Sequence, residues 1–372
     1  MMKYDRKLIL EDGSTFYGYG FGSRKEAVCE VVFNTSMTGY QEILSDPSYT
    51  GQAVVMSYPL IGNYGVAGED YESRLIAPSA LLVRDINENP SNFRSIRTLP
   101  ELMEEEDIPG IYGMDTRKLV RRIRDHGTMR GIVTDAGVPE AEGVQRIQDT
   151  PLRKDAVARV STKKKWYSRT SNPACHVVAI DCGMKANIVR MLNQNKCNVT
   201  IVPYHTEAEE ILELTPDGVF ISNGPGDPMD VPEVIRTLRG LHGQVPVFGI
   251  CLGHQLIALS YGASTYKLKF GHRGGNHPVE DVRTKKITMT SQNHSYAVRE
   301  ESLAGTGLAV THKNLLDGTV EGVCCEKDAV FSVQFHPESA PGPMDSTELF
   351  AEFVRKMHDW KIQKQQKDSF EG

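Results

Sequence analysis

Apolar and polar positions follow two different rhythms along this chain. Up to about residue 160 the apolar runs are short, alternating and broken by glycine. KLILEDGSTFYGYGFG, residues 7–22, alternates on either side of Asp12-Gly13, and that pattern predicts a hairpin. EAVCEVVFNT and GQAVVMSYP predict further strands. DTRKLVRRIRDHG, residues 115–127, has Leu119, Val120 and Ile123 at helical spacing, with Asp115 able to cap the start and Gly127 able to stop the end. Beyond residue 173 the rhythm changes. HVVAID, VTIVPY, GVFISNG and VPVFGI are continuous apolar runs rich in β-branched residues. KANIVRMLNQN, EAEEILEL and PEVIRTLRGLH separate them at helical spacing. Such alternation predicts a parallel sheet covered on both faces. KKITMTSQNHSYAV, GTVEGVCCE and AVFSVQFHPE are strand-rich again, and STELFAEFVRKMHDW closes the fold as a helix.

The fold class read from this is α/β. A β-rich N-terminal domain occupies residues 1–160. The basic, Ser/Thr-containing stretch STKKKWYSRTSNP, 161–173, reads as a linker. An open, mostly parallel doubly wound sheet with a nucleophile elbow fills 174–360, and 361–372 form a flexible tail. The chain has 372 residues, enough for two domains, and 42 basic against 48 acidic residues give a net charge of −6, which argues against general nucleic-acid binding. No apolar run approaches the roughly 18 residues of a membrane span. The opening MMKYDRKLIL shows neither a secretory nor a transit pattern, so a cytoplasmic location is expected. Seven cysteines without a Cys-x-x-Cys pair read as free thiols in a reducing compartment.

The candidate chemistry centres on VFGICLGHQ, residues 247–255. Glycine on both sides of Cys251, two residues away each, weakens strand and helix alike, and a strand-to-helix turn gives the pattern a purpose. In the arrangement G-x-nucleophile-x-G the turn pushes the nucleophile above the sheet edge. The N-terminus of the following helix favours an anion, and its free N–H groups can hold a developing oxyanion. The same spacing also serves an inert core cysteine at a tight turn. A thiol nucleophile needs a base and the base an orienter. In FSVQFHPES, His336 and Glu338 stand two apart, which in an extended chain places them on one side; alone, His-Pro-Glu also reads as a surface turn. ISNGPGDP, 221–228, ends a strand in a Gly/Pro-rich loop at the carboxyl edge of the sheet, where open α/β sheets bind ligands; a plain βα turn uses the same residues.

Taken in order, SNGPGDP, GICLGHQ and HPE resemble the class I, triad-type glutamine amidotransferases over residues ~174–360. EVVFNTSMTGYQEILSDPSYTGQ (30–52), YPLIGNYG (58–65), DTRKL, FGHRGGNHPV and SAPGP extend the resemblance over nearly the whole chain, to the small, glutamine-hydrolysing subunits of carbamoyl phosphate synthetases. The resemblance implies Cys251 as nucleophile, His336 as general base and acid, and Glu338 as its orienter. It implies L-glutamine held by Ser48, Gly224, Gly226, Leu252, Gln255, Asn293, Ser295 and Tyr296, with the amides of Leu252 and Gly224 as oxyanion hole. Some relatives carry Gly-Phe where this chain has Ser295-Tyr296. A large partner subunit would use ATP and magnesium to make carbamoyl phosphate, for arginine or pyrimidine synthesis, from bicarbonate and ammonia channelled to it. This chain itself then needs no cofactor and no metal. It has no G-x-x-x-x-G-K-[ST] loop, and His272, His277, His294 and His336 lack standard zinc-ligand spacing. The competing readings are a glutaminase subunit of another amidotransferase, a non-catalytic scaffold homologue, and a cysteine hydrolase of other substrates. The basic helix at 115–127 reads either as a solvated face or as a contact to the partner.

Overall fold

The computed structural model describes the backbone of residues 4–371 and the side chains through residue 366. The chain divides into two compact units, Met1–Arg153 with Lys269–Gly274, and Lys154–Leu268 with Gly275–Gly372.

In the first unit the strands are β1 (Arg6–Leu10), β2 (Thr15–Gly22), β3 (Ala27–Asn34), β4 (Gln52–Met56), β5 (Leu60–Ile61), β6 (Ala80–Leu82), β7 (Asp85–Ile86), β8 (Pro109–Tyr112) and β9 (Met129–Asp135). β5 pairs with β7, and the others close a barrel in the order β1-β2-β8-β6-β4-β3-β9. Closure removes the exposed edges that short strands of this kind would otherwise present. The expected hairpin forms with Ile9 opposite Thr15. Gly13 sits at φ +84° in its turn, and the Ser14 amide donates to the Asp12 carboxylate at 2.8 Å. Alternate strand residues divide between two clusters. Leu8, Val31, Val55, Leu82 and Ile111 belong to one. Val32, Val54 and Leu81 belong to the other, with α1 (Tyr40–Ser45) and α2 (Leu99–Glu105) packed on it. Helix α3 (Thr116–His126) runs as the spacing predicts. The Asp115 carboxylate accepts from the Lys118 amide at 2.9 Å, and Gly127 at φ +99° ends it. Leu119 and Ile123 are its buried apolar residues, each stabilising by about 1.5–3 kcal/mol. α4 (Glu140–Asp149) brings Ile147 against Ile9 and Ile132.

The second unit contains α5 (Ala156–Val160), β10 (Trp166–Ser168), β11 (Cys175–Asp181), α6 (Ala186–Gln194), β12 (Cys197–Pro203), α7 (Ala208–Glu213), β13 (Gly218–Ile221), α8 (Pro232–Leu241), β14 (Val247–Ile250) and α9 (Leu252–Ser260). There follow β15 (Thr265–Asp281), β16 (Ile287–Val298), β17 (Ala309–Asn314), β18 (Val320–Cys325), β19 (Val330–Val333) and α10 (Glu348–Glu371). They build a ten-stranded sheet in the order β10-β12-β11-β13-β14-β19-β18-β16-β15-β17. β12, β11, β13, β14 and β19 pair in parallel. β10 is antiparallel at one end, and β18 continues the other end antiparallel. Parallel pairing therefore covers half the sheet rather than most of it. Continuous apolar strands are explained by burial on both faces. Val178 and Ile180 join Ile211, Val234, Leu238 and Leu256. Val177 and Ala179 join Ile188, Leu192, Phe350 and Phe353.

Three boundaries differ from the sequence expectation. The division falls after Arg153 rather than at 160, and residues 161–173 belong to the second unit. Within them, Trp166–Ser168 pair with Val199–Ile201 as an edge strand. Three residues are too short to show alternation, and the flanking lysines are the charges that edge strands carry. The segment expected as a tail continues α10 to Glu371, because it contains good helix formers and no proline or glycine before Gly372, which lies outside the described residues.

Candidate active site

Strand β14 and helix α9 meet at Cys251, whose backbone stands at φ 55°, ψ −104°. A non-glycine residue there costs on the order of 1–3 kcal/mol, held in place by its surroundings. The flanking glycines supply the room. A Cβ on Gly253 would lie 2.3 Å from the Ile221 carbonyl oxygen, and one on Gly249 would lie 2.8 Å from the Gly253 backbone. Strand and helix thus approach at a distance only glycine permits. The Cys251 amide donates to the Val333 carbonyl at 2.9 Å, which ties the turn to the end of β19. The buried thiol points toward β16 and donates to the Asn293 carbonyl at 3.6 Å.

β19 ends at Val333, and three residues later the His336 amide donates to the Ser291 carbonyl at 2.8 Å, fixing the segment beside β16. His336 Nδ1 lies 2.7 Å from Glu338 Oε1, and both side chains are buried. That pairing leaves Nε2 as the other ring nitrogen, buried and, among the described residues, without a hydrogen-bond partner. Burial alone would push the ring toward its neutral form, but the Glu338 carboxylate, with the adjacent Cys251 side chain, outweighs it and raises its pKa. Burial likewise pushes the Glu338 carboxyl up, and Lys185 with His336 overcomes this and holds it ionised, below the usual carboxylate range. Lys185 Nζ stands 3.0 Å from Glu338 Oε1 and donates also to the Ser339 carbonyl. Asn187 donates to the Glu338 carbonyl.

Leu252 and Gln255 lie on the first turns of α9; Asn293, Ser295 and Tyr296 lie on β16. Gln255 Nε2 donates to the Tyr296 carbonyl at 2.8 Å and to Gln334 Oε1 at 3.0 Å. Both amide hydrogens are thereby used, which leaves its oxygen as an acceptor. Gly224 follows β13, where a Cβ would strike the Cys182 carbonyl oxygen at 2.2 Å and the Leu252 side chain at 2.8 Å. Gly226 stands at φ +91°. The structure brings these residues to the carboxyl end of the parallel strands. Ser48 belongs to the first unit, on the short turn Pro47–Tyr49, with its amide on the Asp46 carboxylate at 2.9 Å.

Sequence reasoning missed Lys185 and Gln334. Lys185 opens a helix just beyond the apolar run HVVAID, where a charge reads as an ordinary helix start. Its burial is visible only once Glu338, 153 residues away, is folded against it. Gln334 sits directly after a strand and before His336, and that adjacency was the available signal.

Residues 178–356 match the family described as glutamine amidotransferase class-I, and residues 8–133 match the CPSase domain of the carbamoyl-phosphate synthase small chain. The carbamoyl phosphate synthase small chain of Staphylococcus epidermidis is 52% identical, covering 97% of this chain and 98% of its own length. That of Bacillus caldolyticus is 53% identical, covering 95% and 97%. The pyrimidine-specific small chain of Halalkalibacterium halodurans is 52% identical, covering 96% and 98%.

Proposed function

This chain belongs to the carbamoyl phosphate synthase small-chain family, and from that premise we propose that it hydrolyses L-glutamine at Cys251 and passes the ammonia to a large partner subunit. That subunit would use ATP and magnesium to make carbamoyl phosphate from bicarbonate. The observation that carries the reading is a thiol at a strained strand-to-helix turn beside a histidine whose other nitrogen is bonded to a buried carboxylate. We read the turn as a nucleophile elbow in a doubly wound sheet.

The steps follow from the groups present. The Cys251 thiol gives its proton to the His336 ring as its sulfur attacks the side-chain amide carbon of glutamine, and the C=O pair moves onto oxygen. The backbone amides of Leu252 and Gly224 would stabilise that developing charge; losing one such donor typically costs on the order of 100-fold in rate. His336, protonated in that step and stabilised in that form by Glu338, gives the proton to the leaving nitrogen; the C–N bond breaks and a γ-glutamyl thioester remains. Water, losing a proton to the same ring, cleaves the thioester to glutamate, and the ring returns that proton to the departing sulfur to restore the thiol. Gly226, Gln255, Asn293, Ser295 and Tyr296 would hold the substrate, with the Gln255 oxygen as an acceptor for its amino group. Among the described residues no helix is long and apolar enough to cross a membrane, and the seven free, buried cysteines suit a reducing, cytoplasmic setting.

The test is glutamate release from glutamine by wild type and Cys251→Ser, with and without the large subunit, ATP and bicarbonate. The expected result is slow release alone, acceleration with the full mixture, and no release by the variant. Equal inactivity of both proteins with the partner bound would overturn the reading.

A further inference from the structure

The first unit carries a groove of about 950 Å³ beside α3, and its charge is one-sided. Arg84, Arg117, Arg121 and Arg124 line it, all exposed, against a single acidic residue, Asp115. The Asp115 carboxylate is already committed to capping the helix. Among the described residues, Arg117 and Arg121 make no ion pair or hydrogen bond, Arg124 pairs with its neighbour Asp125 alone, and Arg84 reaches the Met114 carbonyl at 3.5 Å. Arg117, Arg121 and Arg124 share one helix face at i, i+4 and i+7, where like charges oppose helix formation. The fold does not need this face, because α3 is anchored by Leu119 and Ile123 on the other. Val120 and Pro59 give the groove an apolar strip between the guanidinium groups.

We propose that this groove is a docking surface for an acidic segment of the large synthetase subunit, an inference that rests on the function proposed above. Guanidinium forks match carboxylates two bonds at a time. The chain as a whole carries −6, so a cationic groove is locally opposite to the rest of the molecule and directs an acidic partner to this face. All four arginines are exposed and none is buried as a convergent donor, which favours an extended, many-point partner over one small anion.

The experiment measures association of the full chain with its large subunit at several salt concentrations, for wild type, Arg117→Glu/Arg121→Glu and Arg117→Gln/Arg121→Gln. Glutamate release without partner and thermal unfolding are followed alongside. The expected result is binding weakened on the order of 100-fold by the double Glu variant and less by the double Gln variant. The salt dependence should flatten in both, with unchanged basal hydrolysis and melting temperature. Wild-type affinity in both variants overturns the inference and leaves the proposed function standing. So does unaltered assembly accompanied by inorganic phosphate or tripolyphosphate stabilising wild type but not the variants, which would make the groove a small-anion site. A wild-type chain that neither associates nor hydrolyses glutamine overturns both.

Discussion

Lys185 Nζ and Glu338 Oε1 lie 3.0 Å apart with both side chains essentially shut off from solvent. The same carboxylate oxygen therefore meets a fixed cation and the His336 ring. Two positively charged partners beside Glu338 rather than one explain how burial fails to neutralise it.

Removing that cation is expected to be costly. In Lys185→Met, Glu338 keeps only His336 as a charged partner, and breaking a buried pair of this kind costs about 3 kcal/mol or more. Thermal unfolding should show the loss, and glutamate release should fall with it. A melting temperature and rate equal to wild type would contradict the ionised state assigned to Glu338.

The His336–Glu338 pair sets a pH window. His336 is raised from the ordinary 6.5, so its contribution to stability is full below about pH 6.5 and is lost as pH rises through the folded value. Glu338 is lowered from the ordinary 4.5, so its contribution is full above about pH 4.5 and is lost as pH falls through the folded value. The difference in melting temperature between wild type and Glu338→Gln should therefore be largest between those two pH values and shrink on both sides. NMR titration of the His336 ring should give a lower pKa in the variant.

Gln334 accepts from Gln255 at 3.0 Å, and without it the Gln255 amide is free to turn. One neutral hydrogen bond contributes about 0.5–1.5 kcal/mol. Gln334→Leu should raise the glutamine KM up to roughly tenfold with kcat little changed. Gln334→Glu, which keeps an acceptor oxygen at the same place, should recover part of it. A fall in kcat at constant KM would point to general disturbance of the site instead.

Gly253→Ala places a methyl group 2.3 Å from the Ile221 carbonyl oxygen, which belongs to backbone that cannot swing aside. Overpacking of this kind costs about 1–3 kcal/mol. Hydrolysis should drop further than stability, because the displaced turn carries Cys251. Wild-type rates in this variant would show that the turn tolerates a wider strand-to-helix spacing.

The sequence alone determined the elements whose signals are local. The Asp12-Gly13 hairpin, the α3 helix between Asp115 and Gly127, the apolar strands HVVAID and VPVFGI, and the turn at Cys251 all follow from neighbours a few residues apart. Each is governed by backbone geometry or period. Tertiary structure decided the rest. The barrel order β1-β2-β8-β6-β4-β3-β9 joins strands through pairings no local pattern encodes. The strand Trp166–Ser168 exists because Cys197–Pro203 offers it an edge, and Lys269–Gly274 joins the first unit far from that unit's other residues in sequence. The charge states at the site depend on the same kind of assembly. Lys185 and Glu338 are ordinary surface residue types until folding strips their water, and only then does each require the other.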